Sequence, residues 1–203
     1  MKILSMHILH KRVDKSIFLK SSYQLDFMNF LKRKYAKEGL VFSARTIINK
    51  IKKGQMIRIQ QEDSPTVFIY GHVNDSNIGV VLICDDKYPE SAACRIILEI
   101  ETKFLAIYSA DFFNNYSEDQ DMKFPELDVM ISKYQDPQEA DKLIKIEKDL
   151  DEIQHTLHKT MNDLMDRGEK LDDLMKKSED ISGTAYSFYK KSKEANQSCC
   201  SLY

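Results

Sequence analysis

Met161-Asn162-Asp163-Leu164-Met165-Asp166-Arg167-Gly168-Glu169-Lys170-Leu171-Asp172-Asp173-Leu174 is the stretch on which the fold turns. Followed in both directions, its steps of three and four pick out Leu143, Ile146, Leu150, Ile153, Leu157, Thr160, Leu164, Arg167, Leu171, Leu174, Ser178, Ile181, Ala185, Phe188, Ser192 and Ala195. Twelve of these sixteen positions are apolar. The chain-wide 42% of hydrophobic residues would place about seven there, so the pattern is a coiled-coil seam. The residues between are largely charged, as the solvated faces of a helix require. A helical coiled-coil segment is therefore predicted over 142–196.

Arg167 occupies a core position near the middle of the seam, and a buried guanidinium is costly unless partner helices offer acceptors. Gly168 and Gly183 lie inside the helical stretch, each costing about 1 kcal/mol relative to Ala. Ser178, Ala185, Ser192 and Ala195 make the far end of the seam small, which is compatible with crowded packing among several helices. The backbone entropy lost on ordering so long a segment is comparable to the gain from burying its large apolar residues. It is expected to fold on partner helices or on the chain's own N-terminal half, as a binding device rather than a catalyst.

That N-terminal half follows a different period. Lys2 to His10 and Ser16 to Lys20 are short apolar runs spaced as a hairpin. Tyr23 to Ile51 has helix-like spacing with an interruption expected near Gly39. Met56 to Gln60, Thr66 to His72 and Ile78 to Cys84 are β-type runs separated by Gln61-Glu62-Asp63-Ser64-Pro65 and Asn74-Asp75-Ser76-Asn77, both turn-rich. Pro89 opens a helix carrying Ala92, Ile96, Ile97, Ile100, Phe104 and Ile107. Asn114 to Asp121 reads as a polar loop, and residues 125–131 as one further short helix. The order β-β-α-β-β-β-α predicts an α+β domain with a five-stranded antiparallel sheet sandwiched by helices.

A net charge of -2 argues against a nucleic-acid partner, which usually meets a basic face. No apolar run reaches the roughly 18 to 20 residues of a membrane span, and residues 1–11 lack the features of a signal peptide. Lys2 excludes N-myristoylation. Cys84 and Cys94 sit among apolar residues and read as inert core, whereas Cys199 and Cys200 are adjacent in a polar tail, so neither disulfide framework nor zinc site is expected. The six glycines are scattered, which gives no phosphate loop. His155 and His158 stand three apart with nothing to complete a metal site. Catalysis, metal and bound cofactor are not expected.

The quoted stretch, continued by Lys177-Ser178-Glu179 and Phe188-Tyr189-Lys190, resembles the SNARE motif of synaptobrevin-like R-SNAREs. With Tyr134-Gln135-Asp136-Pro137, Glu139-Ala140-Asp141 and the terminal Cys199-Cys200, the chain is most similar to the lipid-anchored, YKT-type longin R-SNAREs. Its strand order and Tyr88-Pro89 extend the likeness to the N-terminal half. The resemblance implies a longin domain (1–134), a linker (135–141), an R-SNARE motif (142–196) and a lipidated tail (197–203). It further implies that Arg167 is the ionic-layer residue, facing three glutamines from Qa, Qb and Qc SNAREs in a parallel four-helix bundle that drives vesicle fusion. The other fifteen seam positions are then the core layers. SNARE regulators and disassembly machinery are implied as further partners.

Cys200-Ser201-Leu202-Tyr203 has the form of a prenylation box, with Cys199 beside it for palmitoylation, and two lipids anchor far better than one. Tyr203 is an unusual last residue for such a box, which leaves the isoprenoid open. Lys190, Lys191 and Lys193 would add weak attraction to anionic lipid. The expected location is cytoplasmic, cycling to the cytosolic face of Golgi, ER, endosomal and vacuolar membranes. By resemblance, the longin domain folds back on the SNARE segment and shelters lipid, with Val41 and Phe42 as the surface; for these two residues, core packing is an equal alternative. A longin and coiled-coil adaptor or tether without fusion activity is the rival reading of the whole chain.

Overall fold

The computed structural model describes residues 2–60, 66–144 and 156–199. Strands β1 (Ile3–His10) and β2 (Ile17–Tyr23) form the expected hairpin, followed by helix α1 (Phe30–Lys50). Strands β3 (Ile57–Gln60), β4 (Val67–Val73) and β5 (Ile78–Asp85) then build a meander, and helices α2 (Glu90–Ile107) and α3 (Glu126–Lys133) follow. Between β4 and β5 the chain reverses through Asn77, which takes a left-handed φ of 61° that Asn tolerates well. The sheet order is β2-β1-β5-β4-β3, antiparallel throughout these five strands.

Because side chains alternate along a strand, this sheet feeds two cores. On β5, Ile78, Val80, Leu82 and Cys84 face the layer of α2 and α3, where Ile96, Ile97, Ile100, Phe104, Leu127 and Ile131 are buried. Val81 and Ile83 face the other way and join Ile57, Ile59 and Ile69 beneath Ala44, Ile47 and Ile48 of α1. The helix comes so close to the sheet that a Cβ on Gly79 would lie 2.6 Å from Ile48 Cδ1. Only glycine allows that approach.

Three expectations require correction. Helix α1 starts at Phe30, after Asn29 caps it by accepting from the Lys32 N–H at 2.9 Å, and it passes unbroken through Gly39. A side chain at position 39 would meet nothing, so the cost of glycine there is only its helix propensity, which packing of the following two turns outweighs. The segment 135–141 is no loose linker. The Gln135 side chain accepts from Ile3 N at 3.1 Å and donates to Ile3 O at 2.8 Å, and helix α4 (Pro137–Ile144) buries Ala140 against the α2 layer.

The largest difference lies further on. Over 142–196 the structure contains no single helix: the described residues form strand β6 (Leu157–Thr160), a 3-10 turn (Asn162–Leu164), helix α5 (Leu171–Lys177) and helix α6 (Gly183–Cys199). Strand β6 adds in parallel to β3, making the sheet six-stranded and mixed. The seam side chains have found another apolar partner, the domain's own α1 face, and Gly168, at φ +88°, makes a turn where a helix would run.

Candidate functional site

A helix lying on a sheet normally buries one stripe, at positions three and four apart. In α1 seven consecutive residues, Phe42 to Ile48, are all buried. Such a run covers every direction around the helix, so two turns of α1 are enclosed on both sides. One side is the sheet and the other is the C-terminal segment, and the contact between α1 and that segment is the candidate site.

The apolar part of the contact centres on Phe42, which is 4% exposed and packs with Met175, Ile181 and Ala185. Leu171, Leu174, Tyr186 and Tyr189 border the cluster, and the rings of Tyr35 and Phe188 meet with centroids 5.4 Å apart. Val41, the other residue named from the sequence, is partly buried and turns toward the sheet-side core instead. Met161 and Leu164 insert into that same core. Between α1 and α5–α6 lies a partly open apolar cavity of about 240 Å³, lined among others by Leu25, Tyr35, Phe42, Met175, Ile181 and Phe188.

Arg45 supplies the polar part. Its Nε and Nη2 donate to both carboxylate oxygens of Asp180, at 2.7 and 2.9 Å. Its Nη1 and Nη2 reach Asp119 at 3.0 and 2.6 Å, and Nη1 also donates to the Ser16 carbonyl. The Arg45 side chain is 6% exposed and that of Asp180 11%. Burial opposes the charged guanidinium, but the hydrogen bonds to Asp119 and then Asp180 outweigh it and hold Arg45 above its ordinary pKa. Burial likewise penalises the Asp119 carboxylate, yet Arg45 and the Phe18 N–H hold its pKa below the ordinary value. Breaking a fork of this kind leaves a charge poorly solvated, so it is a stronger lock than an exposed pair.

Weaker contacts extend the lock along the segment. Lys50 bridges Asp166 at 2.6 Å and Glu169 at 2.7 Å, Lys15 meets Glu179 at 2.6 Å, and the Ser182 N–H donates to Glu38 at 2.9 Å. At the sheet edge, Leu157 N donates to the Met56 carbonyl at 3.0 Å and His158 lies 2.8 Å from Glu90. Strand β6 stops where the Thr160 N–H donates to Asp163, 2.7 Å away, and the Asp163 N–H donates back to the Thr160 hydroxyl at 3.3 Å. By covering β3, strand β6 also protects an edge that would otherwise offer unpaired backbone.

The seam residues named from the sequence are thus dispersed here rather than aligned. Leu164, Ile181 and Ala185 are buried, Thr160, Leu171, Leu174 and Ser178 are half-buried, and Leu157 and Phe188 remain 40% and 39% exposed. Arg167 projects into solvent on the turn at Gly168. Leu143 lies in α4, and Ser192, Ala195 and Cys199 lie in α6. Ile146, Leu150, Ile153, His155 and Cys200 are outside the described residues. Among the described residues no group of His, Cys, Asp and Glu is arranged to hold a metal ion. Cys84 and Cys94 are buried thiols, and burial pushes the Cys94 pKa up to about 11.

Sequence reasoning missed Arg45, Asp119, Asp180, Met161 and Met175. One signal was available: Arg45 is the lone charge inside the run Phe42-Ser43-Ala44-Arg45-Thr46-Ile47-Ile48, which a covered helix tolerates only with a buried partner. The two methionines sit beside the seam, and only the folded-back path turns them inward.

A two-core sheet domain that binds a heptad-patterned C-terminal segment along one helix defines a class, the longin SNAREs. Comparisons with known proteins agree. The longin family model, described as a regulated-SNARE-like domain, matches residues 25–131, and the synaptobrevin model matches residues 142–201. The chain is 32% identical to "Synaptobrevin homolog YKT6" of Saccharomyces cerevisiae and to that of Eremothecium gossypii, covering 98% of each chain. It is 32% identical to "VAMP-like protein YKT61" of Arabidopsis thaliana over 100% of both chains. The chain belongs to the YKT-type longin R-SNARE family, whose members are SNARE proteins and not enzymes. No described helix is long and apolar enough to cross a membrane.

Proposed function

We propose that this protein is a fusion R-SNARE that exists in two forms, a closed one in which the longin domain occupies the SNARE segment and an open one in which that segment zippers with three Gln-type SNAREs. One observation carries the reading: Leu164, Leu171, Leu174, Ile181 and Ala185, which the heptad register assigns to a bundle core, are the same side chains packed against α1 and the sheet. They cannot serve both partners at once. Arg167 needs no acceptor while it is exposed, and in the bundle it meets the glutamines of the ionic layer. Autoinhibition follows as competition for one apolar face.

Membrane attachment is proposed through palmitoyl on Cys199 and an isoprenoid on Cys200, with cycling between cytosol and the cytosolic faces of Golgi, ER, endosomal and vacuolar membranes. The apolar cavity along α1 supports sheltering of hydrocarbon in the closed form. Mass spectrometry of the protein from its native cell is expected to find Cys200 modified; an unmodified thiol there contradicts the anchor.

Mixing the purified chain with Qa, Qb and Qc helices is expected to give a detergent-resistant complex. Arg167→Leu should assemble with impaired registry and disassembly. Homodimerisation with no such complex would favour an adaptor or tether, and normal assembly and disassembly of Arg167→Leu would remove the ionic layer from the account.

A further inference from the structure

The first turn of α1 and the residues just before it leave large apolar side chains uncovered. Phe30 is 82% exposed, Leu31 65% and Phe27 51%, three large apolar side chains within five residues on one end of the domain. Lys32, Arg33, Lys34 and Lys37 follow directly, and Lys2 stands over the Phe27 ring at 4.4 Å from its centroid. Asp26 pairs with Arg33 at 3.2 Å, and Glu38 accepts from the Ser182 N–H. Among the described residues neither Lys32 nor Lys34 has an ion-pair partner. A chain of net charge -2 therefore concentrates positive charge where it also leaves aromatic and aliphatic side chains uncovered.

Helix α6 adds to the same end. It runs antiparallel to α1, since Ser182 meets Glu38 and Phe188 meets Tyr35 further toward the α1 start. The exposed Lys190 and Lys191 come next along that path.

We infer that the start of α1 is a docking face for an anionic phospholipid bilayer. Phe27, Phe30 and Leu31 enter the headgroup region while Lys32 and Lys34 lie against acidic headgroups; Lys37 is held over the Tyr23 ring at 4.4 Å from its centroid. Charge complementarity decides the occupant: an apolar protein groove would need no ring of cations, and a second copy of the same face would set like charges against each other. The face belongs to the longin domain itself, so it acts with or without covalent lipid and in either form of the SNARE segment.

The test uses the unlipidated full chain and sedimentation with vesicles of phosphatidylcholine alone or with about a third phosphatidylserine. Partitioning onto the acidic vesicles is expected to exceed that onto neutral ones by at least about ten-fold and to fall with salt. The double variants Phe30→Ser/Leu31→Ser and Lys32→Glu/Lys34→Glu should each lose about ten-fold or more with an unchanged melting temperature. Val129→Ser, which removes an equally exposed apolar side chain from α3 on the other side of the sheet, should bind as the parent does. Equal binding to both vesicle types, or parental binding by both double variants, would overturn the proposal. So would concentration-dependent self-association abolished by those variants, or a protein partner captured through these residues, in the absence of vesicle binding.

Discussion

Residues 3–133 and residues 157–189 are two regions of one chain that solve the burial problem to different degrees. The sheet domain fills both faces, with Ile8, Ile47, Val81, Ile97 and Phe104 at 0% exposure. The C-terminal segment covers α1 with only part of its apolar complement, leaving Leu157 and Phe188 well exposed, the latter beside an apolar cavity. Its closed conformation also relies on ion pairs, of which Arg45–Asp180 is buried and Lys15–Glu179 is largely exposed. A domain with a complete core keeps its shape; a segment with an incomplete one changes partner when a better surface is offered. Differential burial is what makes one region the scaffold and the other its covering segment.

The sharpest way to break the comparison is Phe42→Glu. A carboxylate in the pocket of Met175, Ile181 and Ala185 carries several kcal/mol of unfavourable burial, more than so small a cluster contributes. Limited proteolysis should cut within 157–189 while helices α1 to α3 and the strands of the sheet domain stay protected. Parental protection of the segment would show that α1 does not hold it.

Arg45→Ala comes next. It strands Asp180 beside apolar surface, and loss of one member of a buried pair costs about 3 kcal/mol, reduced here by the partial exposure of Asp119. Hydrogen exchange of α5 and α6 should rise roughly a hundred-fold, whereas Lys15→Ala, at an exposed pair, should change it less than about five-fold. Equal effects of the two variants would contradict the distinction between lock and ornament.

Acid destabilises both the domain and the Arg45 lock, but in different pH windows. Buried His7 accepts no proton readily, with a pKa lowered from 6.5 to about 3, first by desolvation and then by Lys37. Below pH 6.5 the unfolded chain binds a proton that the folded one refuses, so domain stability falls by up to about 1.4 kcal/mol per pH unit. The depressed Asp119 behaves differently: its stabilisation is complete above the ordinary 3.8 and fades only as pH falls through its lower folded value. Thermal melting between pH 7 and pH 5 should weaken the domain while the Arg45 lock persists, and His7→Gln should flatten the slope.

Gly168→Ala shifts the balance through the backbone alone. Alanine disfavours the +88° turn by about 1 to 2 kcal/mol and favours helix by about 1 kcal/mol. Both move the segment toward the open form, so binding of Gln-type SNARE helices should strengthen on the order of ten-fold or more. A weakened complex would mean that the glycine serves the bundle rather than the closed turn.

The pattern of what was legible follows from range. The five strands and α2 are visible because alternation, turn clusters and Pro89 are local signals, and the seam is visible because its period persists for sixteen positions. Phe42 was singled out by its place in an apolar stretch, but whether it faced core or segment was open until the second covering layer was seen. Strand β6 is invisible in Leu157-His158-Lys159-Thr160, whose heptad positions read as helix; only the uncovered edge of β3 turns them into a strand. The Arg45–Asp180 pair spans 135 residues, and nothing in either neighbourhood names the other. A segment folded back on its own domain displays a heptad period and conceals the geometry of that contact.

The most direct measurement is the distance between spin labels on Lys34→Cys in α1 and Lys190→Cys in α6, with Cys199 and Cys200 replaced, before and after adding the three Gln-type helices. A single short distance for the chain alone, moving to a long one as the complex forms, is the predicted result. A short distance retained within an assembled complex would show that α1 and the bundle do not compete for the same side chains, and the two-form account would fail.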